Sequence, residues 1–405
     1  MPTITRLTPL LVYVVIGTNC QAQQLKYTAA EAYTIHENIN RSRWDIGGRL
    51  SHYSFRFMSE FFPTETIKKS NQEFTFTENQ RNEIGSISIQ NGAESETLEA
   101  QLKRLHVNSI VVVKKGEIVF EKYYSMLPEE QHTLQSVSKV ITSTLIAKLE
   151  NEGKIRTDRP IEQYIPELRN TAWQGIPVKD ILDMRSGIQG SESDLEDGPF
   201  TNPNHNYYKF ESALGLLPRA GSAPPPVYEH VASLKRKNPP GEKVEYHSVN
   251  TFVLGWLAEK LTGAKYSDLV SEWIWKTMGA SSNAYVCLSE KGVPWTHGGV
   301  STTLRDLARF GMLFTQSDIV ARKESLVSQA QLESIFASGQ SGYQWDWARK
   351  GHGIMKSGFG GQGLYVNPGI DLVIAFFNHI DVDWKTDNMI SFETILEIEK
   401  AIERK

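Results

Sequence analysis

Cysteine is almost absent from this 405-residue chain, which contains only Cys20 and Cys287. A fold held together by several disulfides is therefore excluded. The ten histidines are scattered, no H-E-x-x-H occurs, and no group of residues has the Cys/His spacing of a metal site. We expect neither a metal nor a cofactor, and we expect Cys287, which lies in an apolar stretch, to be a core residue.

Long apolar runs and a strong charge imbalance are also missing. No stretch of about 20 apolar residues occurs, so a membrane-spanning helix is not expected. The formal net charge of −4 is small, which argues against nucleic acid or an anionic membrane as a partner. With 40% hydrophobic and 22% charged residues, the composition is that of a globular protein with one large domain or two lobes.

The first 22 residues have the pattern of an export signal. Arg6 provides a positive charge, residues 10–16 (LLVYVVI) form a short apolar run, and residues 20–22 (CQA) offer small side chains at a cleavage site. A competing interpretation is a lipoprotein in which Cys20 carries the lipid. The pattern favours an exported protein of bacterial type, periplasmic or secreted.

Strand patterns lie towards both ends of the remaining chain, and helix patterns lie between them. Residues 109–124 and 363–377 each predict a β-hairpin, and apolar periodicity predicts helices at about 136–151 and 301–314. We therefore expect an α/β (α+β) fold in which an antiparallel sheet, built from N- and C-terminal segments and flanked by helices, is joined by a mainly helical lobe. The expected parts are a signal peptide at 1–22, an N-terminal extension packing on the core at 23–105, an α/β lobe at 106–134 and 295–405, and a mainly helical lobe at 135–294.

The first candidates for chemistry are Ser136 and Lys139 in the sequence S-V-S-K. Positions i and i+3 share one face of a helix, so the hydroxyl and the amine can meet. A serine hydroxyl needs a base to take its proton, and lysine serves as that base only when burial or a neighbouring cation lowers its pKa. Ser136 also begins the predicted helix, where free N–H groups favour developing negative charge. By itself, S-x-x-K is a weak signal because many surface helices contain it by chance.

Two further elements follow in chain order. Residues 246–248 (Tyr-His-Ser) precede an apolar helix, and residues 356–358 (Lys-Ser-Gly) open the last hairpin. Gly358, Gly360 and Gly363 also match the dinucleotide pattern G-x-G-x-x-G, but that pattern requires a helix after the glycines, and the sequence there predicts a strand. No G-x-S-x-G occurs, which excludes the nucleophile elbow of α/β-hydrolases.

Ser-x-x-Lys, Tyr-x-polar and Lys-Ser-Gly, in this order, resemble the signature of the serine β-lactamase and penicillin-binding-protein superfamily. The tyrosine form of the second element resembles the class C β-lactamases and related esterases. Flanking stretches such as PGEKVEYHSVNTFVLGWLAEKLTG agree, and the resemblance covers roughly residues 107–380. The stretches RLSHYSFRFMSEFFPT and ILDMRSG look most like the branch containing 6-aminohexanoate-dimer hydrolases, which extends the resemblance back to about residue 40.

The resemblance implies a serine hydrolase that cleaves ester or amide bonds of small molecules. Ser136 would attack the carbonyl and form an acyl-enzyme, and Lys139 would accept its proton. Tyr246 would relay that proton to the leaving group and help to activate the deacylating water. The oxyanion would lie between the backbone N–H groups of Ser136 and Phe359, where such donors contribute about 3–4 kcal/mol to lowering the barrier.

The Lys-Ser-Gly element has three implied roles. Lys356 would supply positive potential that lowers the pKa of both Lys139 and Tyr246. Ser357 would offer a hydroxyl to the substrate, and the absence of a side chain at Gly358 would allow the substrate to approach the backbone closely.

The sequence departs from the family pattern at Ser248, where β-lactamases usually carry an asparagine. That asparagine holds the amide side chain of a β-lactam and contacts the lysine, whereas a serine is shorter and cannot donate two N–H groups. The departure favours hydrolysis of esters or simple amides over efficient hydrolysis of β-lactams. Asn250 is a weak substitute because it falls out of register.

Three other side chains each have two interpretations. His297 either lines the cleft opposite Ser136 or caps backbone groups in a loop. Trp345 and Trp347 alternate as in a strand and either line an acyl pocket or pack in the core. For the function as a whole, the alternatives are a β-lactamase or D,D-peptidase and, in another class, a non-catalytic binding protein on the same fold.

Overall fold

The computed structural model describes residues 27–40, 44–45, 47–91, 94–219, 225–315, 326–379 and 389–404. The predicted signal peptide, including Cys20, lies outside these residues. Strands and helices within them assemble around a large mixed sheet, and the lengths and order of the elements explain how residues far apart in the sequence reach one site.

Thirteen strands within the described ranges form three sheets. They are β1 (Thr64–Ile67), β2 (Thr77–Glu78), β3 (Ser88–Asn91), β4 (Glu94–Thr97), β5 (Ser109–Lys114), β6 (Glu117–Tyr123), β7 (His132–Thr133), β8 (Ala284–Cys287), β9 (Val300–Thr302), β10 (Trp347–Ala348), β11 (Ile354–Gly358), β12 (Gln362–Asn367) and β13 (Leu372–Phe377). The largest sheet has the order β10-β11-β12-β13-β5-β6-β2, and β3 pairs with β4 alone.

The two ends of the chain meet in the middle of the large sheet. β13 pairs antiparallel with β5, so that Ile374 lies opposite Val112. All of β13 and nearly all of β5 are buried, which fits their uninterrupted apolar sequences. The predicted sheet built from N- and C-terminal segments is confirmed. One edge departs from the antiparallel arrangement, because the short strand β2 pairs in parallel with β6.

Twelve α-helices are present in the same ranges. They are α1 (Ala29–Asn38), α2 (Gly48–Ser54), α3 (Leu98–Arg104), α4 (Ser138–Asn151), α5 (Val178–Leu182), α6 (Asn206–Leu214), α7 (Val227–Ser233), α8 (Ser248–Thr262), α9 (Tyr266–Leu269), α10 (Leu304–Met312), α11 (Gln329–Ser338) and α12 (Phe392–Glu403). Helices cover both faces of the large sheet. α10 shares a core with Val111 and Val113, and α3 and α12 share another with Ile110 and Val112, as the alternation of side chains along β5 requires.

Both predicted helices exist, but each begins later than expected. A 3₁₀ turn at Gln135–Val137 precedes α4, so Ser136 lies before the α-helix rather than in its first turn. The segment predicted as a helix at 301–314 starts in β9, and α10 follows Thr303, whose hydroxyl accepts a hydrogen bond from the N–H of Asp306. This hydroxyl cap fixes the start of α10.

A four-stranded sheet with the order β1-β8-β9-β7 was not predicted. Its strands have only two to four residues and pair over long sequence distances, with Thr64 opposite Cys287. Cys287 is fully buried, which confirms its expected place in the core. The sheet also positions the residues before Ser136, because β7 pairs with β9 and the N–H of Leu134 donates to the carbonyl of Val300 at 2.8 Å.

Candidate active site

Ser136 lies on the short turn that connects β7 to α4 and lines a cavity of about 490 Å³. The residue before it, Gln135, has a positive φ of 49°, a conformation that is uncommon for a side chain larger than glycine. Strained backbone of this kind is held in place by its surroundings. Here β9 holds one side of the turn and β11 the other. The turn that carries Ser136 is therefore packed between two sheets.

The cavity collects nearly all the residues that the sequence singled out. Its lining includes Gln135, Ser136, Lys139, Tyr246, Ser248, His297, Ser357, Gly358 and Phe359. Lys356 does not line the cavity, because its side chain is fully buried. Trp345 is also buried in the core, and Trp347 packs on Tyr365 and Phe392, so neither tryptophan contributes to the cavity wall.

Lys139 is fully buried and its Nζ atom has three oxygen neighbours. Nζ lies 3.2 Å from Oγ of Ser136, 2.9 Å from Oγ of Ser248 and 2.9 Å from the carbonyl oxygen of His297. The pKa of Lys139 is lowered to about 7, mainly by burial; the charge of Glu192 opposes this lowering and the positive charge of Lys356 adds to it. An amine with that pKa is partly neutral at neutral pH, as a proton acceptor for Ser136 must be.

Tyr246 lies between two lysines. Nζ of Lys356 donates to the Tyr246 hydroxyl at 3.2 Å, and Nζ of Lys139 lies 5.2 Å from the centre of the Tyr246 ring. The expectation that Lys356 lowers the pKa of Tyr246 is wrong. Burial, followed by the negative charges of Asp346 and Glu192, raises the pKa of Tyr246 well above its ordinary value. Tyr246 is therefore a neutral phenol that can donate a proton.

Asp346 explains why Lys356 does not lower the pKa of Tyr246 as expected. Its carboxylate pairs with Nζ of Lys356 at 2.5 Å and accepts hydrogen bonds from the backbone N–H and hydroxyl of Ser357 at 2.8 and 2.6 Å. Much of the Lys356 charge is thus compensated locally. In addition, the hydroxyl of Ser357, expected to face the substrate, donates instead to Asp346.

Ser248 is the first residue of α8 and contacts Lys139, as the asparagine of the family pattern would. The carboxylate of Glu192 accepts hydrogen bonds from the Ser248 backbone N–H at 2.9 and 3.0 Å and from its hydroxyl. Asn250 does not replace it, because it is fully buried and its side-chain amide points to the sulfur of Met184, 3.7 Å away.

Gly358 is required by a contact within the protein that the sequence did not predict. A Cβ atom at this position would lie 2.5 Å from the carbonyl oxygen of Leu134 and 3.3 Å from the backbone nitrogen of Ser136. The close neighbour of Gly358 within the protein is therefore the turn that carries Ser136. The missing side chain lets β11 lie directly against that turn.

Phe359 lies just after β11, and its side chain is 41% exposed. The N–H of Gly361 donates to the carbonyl of Gly358 at 3.0 Å, and Gly360 has a φ of 88°. A positive φ at the third position is characteristic of a type II turn. After the turn, Gly363 lies inside β12 rather than before a helix. The glycine pattern therefore serves a hairpin and not a nucleotide.

His297 contributes to the site through both its backbone carbonyl and its side chain. Its carbonyl accepts from Lys139, and its Nε2 lies 3.1 Å from the carboxylate of Glu211. Glu211 and Asp45 both line the cavity. The pKa of Asp45 is raised to about 6, mainly by burial and with a smaller contribution from the charge of Glu211. One wall of the cavity is consequently acidic.

Sequence reasoning missed the four carboxylates of this site, namely Asp45, Glu192, Glu211 and Asp346. Asp346 lies between Trp345 and Trp347. Because successive side chains in an extended segment point to opposite sides, the aspartate lies on the side opposite the two tryptophans. The others lie in loops or in α6 without a recognisable motif, and no signal in the sequence identifies them.

Comparison with known proteins agrees with the geometry. The β-lactamase family pattern matches residues 96–389, so the chain belongs to the β-lactamase family. The 6-aminohexanoate-dimer hydrolase of Paenarthrobacter ureafaciens is 28% identical over 326 residues, which are 76% of this chain and 81% of that protein. Fold, site and relatives together make this protein a serine hydrolase of the β-lactamase type.

Two solved structures show the same fold. A Bacillus anthracis protein provisionally described as a 6-aminohexanoate-dimer hydrolase has a TM-score of 0.77 at 24% identity, covering 91% of this chain and 96% of its own. A family VIII carboxylesterase has a TM-score of 0.53 at 14% identity, covering 75% of this chain and 95% of its own. Across the described residues, no helix combines the length and apolar character needed to cross a bilayer.

Proposed function

We propose that this protein is an exported hydrolase that cleaves an ester or amide bond of a small molecule through an acyl-enzyme on Ser136. The observation that carries the proposal is the buried Lys139 amine, 3.2 Å from Oγ of Ser136. Burial lowers the pKa of this amine to about 7. A nucleophile within hydrogen-bond reach of a base that is partly neutral at working pH is the arrangement that acyl transfer requires.

In the proposed acylation step, Oγ of Ser136 attacks the substrate carbonyl while its proton passes to Lys139. The negative charge that develops on the carbonyl oxygen is stabilised by the backbone N–H groups of Ser136 and Phe359. The neutral hydroxyl of Tyr246 donates its proton to the leaving amine or alcohol as the C–N or C–O bond breaks, and Lys139 reprotonates it. Water then attacks the ester of Ser136 by the same route and releases the acid.

The acidic wall favours substrates that carry a positive charge near the scissile bond. Asp45 and Glu211 are both lining residues, and the carboxylate of Glu211 lies 3.1 Å from Nε2 of His297. A cationic group desolvated beside them gains more than it would in water. A relative is named as a hydrolase of a 6-aminohexanoate dimer, and an amide of an amino acid is accordingly a suitable first substrate to test.

Efficient β-lactam hydrolysis is not part of the proposal. The single hydroxyl proton of Ser248 is donated to Glu192, so it is not available to the amide side chain of a β-lactam. This adds to the absence of the two N–H groups that an asparagine would provide.

Export rests on the pattern of residues 1–22, with a short apolar run after Arg6 and small residues before the polar segment that follows. Expression in a bacterial host with fractionation tests it. A mature N-terminus at about residue 23 in the periplasm or medium supports signal cleavage, and a lipid-modified Cys20 supports the lipoprotein alternative. An uncleaved cytosolic chain contradicts both.

The hydrolase is tested with a panel of chromogenic esters, amino-acid amides and a β-lactam on the wild type, Ser136→Ala and Ser143→Ala. Ser143 lies on α4, where its hydroxyl donates to the carbonyl of Val140, and serves as the matched control. We expect Ser136→Ala to abolish turnover of esters or amides and to prevent labelling by a serine-reactive phosphonate. Equal turnover by wild type and Ser136→Ala would contradict the mechanism. Failure of the wild type to react with any substrate or with the phosphonate would indicate a binding protein.

A further inference from the structure

The hydrogen bonds around Lys139 determine where its lone pair points. A neutral amine has two N–H donors and one lone pair. The carbonyl oxygen of His297, 2.9 Å from Nζ, can only accept. If Ser248 also accepts, both N–H groups are used, and the lone pair faces the remaining neighbour, Oγ of Ser136 at 3.2 Å.

Whether Ser248 accepts depends on its own proton. A hydroxyl is both donor and acceptor, unlike the side-chain oxygen of an asparagine, and it rotates to suit its partners. If the Ser248 hydroxyl donated to Nζ, it would occupy the lone pair and leave Lys139 unable to take the proton of Ser136. The residue that replaces the family's asparagine therefore needs a third group to fix the direction of its hydrogen bond.

Glu192 is that group. Its carboxylate accepts the hydroxyl proton of Ser248 and the Ser248 backbone N–H. An ionised carboxylate can only accept, so the hydroxyl proton has one direction and the oxygen lone pairs face Lys139. The Glu192 side chain is only 10% exposed, and a hydrogen bond to a charged acceptor in such surroundings is stronger than one in water.

We infer that Glu192 is a positioning residue for the proposed reaction, acting through Ser248 to direct the lone pair of Lys139 at Ser136. The inference rests on the proposed function. Glu192 does not touch the reacting atoms, and its charge acts on Lys139 in the opposite sense, since a nearby carboxylate favours the protonated amine. Glu192 thus combines a geometric benefit with an electrostatic cost, and the two effects can be measured separately.

The geometric effect is tested by a double-mutant cycle with Glu192→Leu, Ser248→Ala and the combined variant. The readout is kcat/KM for an active ester at pH 8.5, where Lys139 is neutral. Loss of a buried hydrogen bond to a charged group corresponds to about 10- to 100-fold, and we expect each single variant to lose about that much. Because Glu192 acts through Ser248, we expect the combined variant to be within about 2-fold of Ser248→Ala.

Two further variants separate positioning from charge and from folding. Glu192→Gln keeps an oxygen acceptor for the hydroxyl, so we expect it to retain most of the wild-type activity at pH 8.5. Its acid limb should move to lower pH, because Glu192 raises the pKa of Lys139 together with Glu211 and Asp346 and against Lys356. Glu196→Gln, an exposed change of the same charge on the same loop, should leave both measurements unchanged.

An alternative explanation is that Glu192 only stabilises the fold, because it accepts the backbone N–H of Ser248 at the N-terminus of α8. A purely structural role would lower the thermal midpoint of Glu192→Leu but leave kcat/KM of its folded fraction at the wild-type level at pH 8.5. That result, or multiplicative losses in the double-mutant cycle, would overturn the inference. If Ser136→Ala is inactive in the same assays, the proposed function survives that failure. Full activity of Ser136→Ala would overturn both.

Discussion

The side chain of Lys356 donates to the hydroxyl of Tyr246 at 3.2 Å while its charge is paired with Asp346 at 2.5 Å. The hydrogen bond from Lys356 orients the Tyr246 phenol, but the ion pair with Asp346 offsets the lysine charge that would favour the phenolate. The pKa of Tyr246 therefore stays well above its ordinary value because of burial and nearby carboxylates. Tyr246 is therefore suited to deliver a proton to a leaving group rather than to remove one from Ser136. That division of roles agrees with the proposed role of Lys139 as the base.

Tyr246→Phe removes the proposed proton donor and little else, because the ring remains in place between the lysines. Loss of a general acid typically costs about 10²- to 10⁴-fold in rate, and we expect kcat to fall in that range for an amide, whose leaving group must be protonated. An ester with a good leaving group should be affected less. Tyr228→Phe is the control, since the Tyr228 ring packs on Phe252 and Trp256 outside the cavity. Equal losses on both substrates would contradict the role.

The pH profile of kcat/KM should have an acid limb near pH 7. Lys139 must be neutral to accept a proton, its pKa is lowered to about 7, and activity should fall as pH drops through that value. Lys356→Met removes a positive charge that contributes to this lowering, so its acid limb should move to higher pH. Lys350→Met, an exposed change of the same charge, should not move it. An unshifted limb in Lys356→Met would show that another group controls the profile.

The backbone N–H of Phe359 can be removed without altering the turn. Proline is favoured at the second position of a type II turn, which is the position of Phe359 in the turn closed by Gly358 and Gly361. We expect Phe359→Pro to lose about 10²- to 10³-fold in kcat, as the removal of one oxyanion donor does. Phe359→Ala keeps the N–H and should retain most activity. Comparable losses in both variants would assign the effect to the side chain instead.

Acid should destabilise the fold through three buried histidines. Burial is the main cause that lowers the pKa of His52 to about 2 and of His132 and His379 to about 3. The unfolded chain binds protons near pH 6.5 and the folded chain does not, so their contribution to stability is complete above about pH 6.5 and is lost as pH falls towards 3.

Each histidine contributes a slope of up to about 1.4 kcal/mol per pH unit in that window. The free energy of unfolding, measured by urea denaturation between pH 7.5 and pH 5, should fall more steeply in the wild type than in His379→Asn, which lacks one of the three groups. The comparison concerns slopes, so a general destabilisation of the variant does not mimic it. Parallel slopes would show that His379 is not among the groups responsible.

The residues of the site that are close together in the sequence, or that belong to a recognisable motif, could be predicted. Ser136 and Lys139 meet because one helical turn separates them, and the motifs placed Tyr246, Ser248 and Lys356 near them. Parts that depend on long-range packing could not be predicted. The contact between Gly358 and the carbonyl of Leu134 requires β11 to lie against the turn of Ser136, and nothing in either segment indicates the distance between them.

The sequence by itself determined the strands that pair at the centre of the large sheet, the helix that carries Lys139 and the order of the three motifs, because periodicity and short spacing act locally. The tertiary structure alone decided the electrostatics. Burial lowers the pKa of Lys139 and raises that of Tyr246, and the carboxylates of Glu192 and Asp346 arrive from other elements to fix Ser248 and Lys356. Those effects depend on distances of a few ångströms between residues that are roughly ten to a hundred or more positions apart in the sequence. They also need the low-dielectric interior, which exists only after the chain has folded.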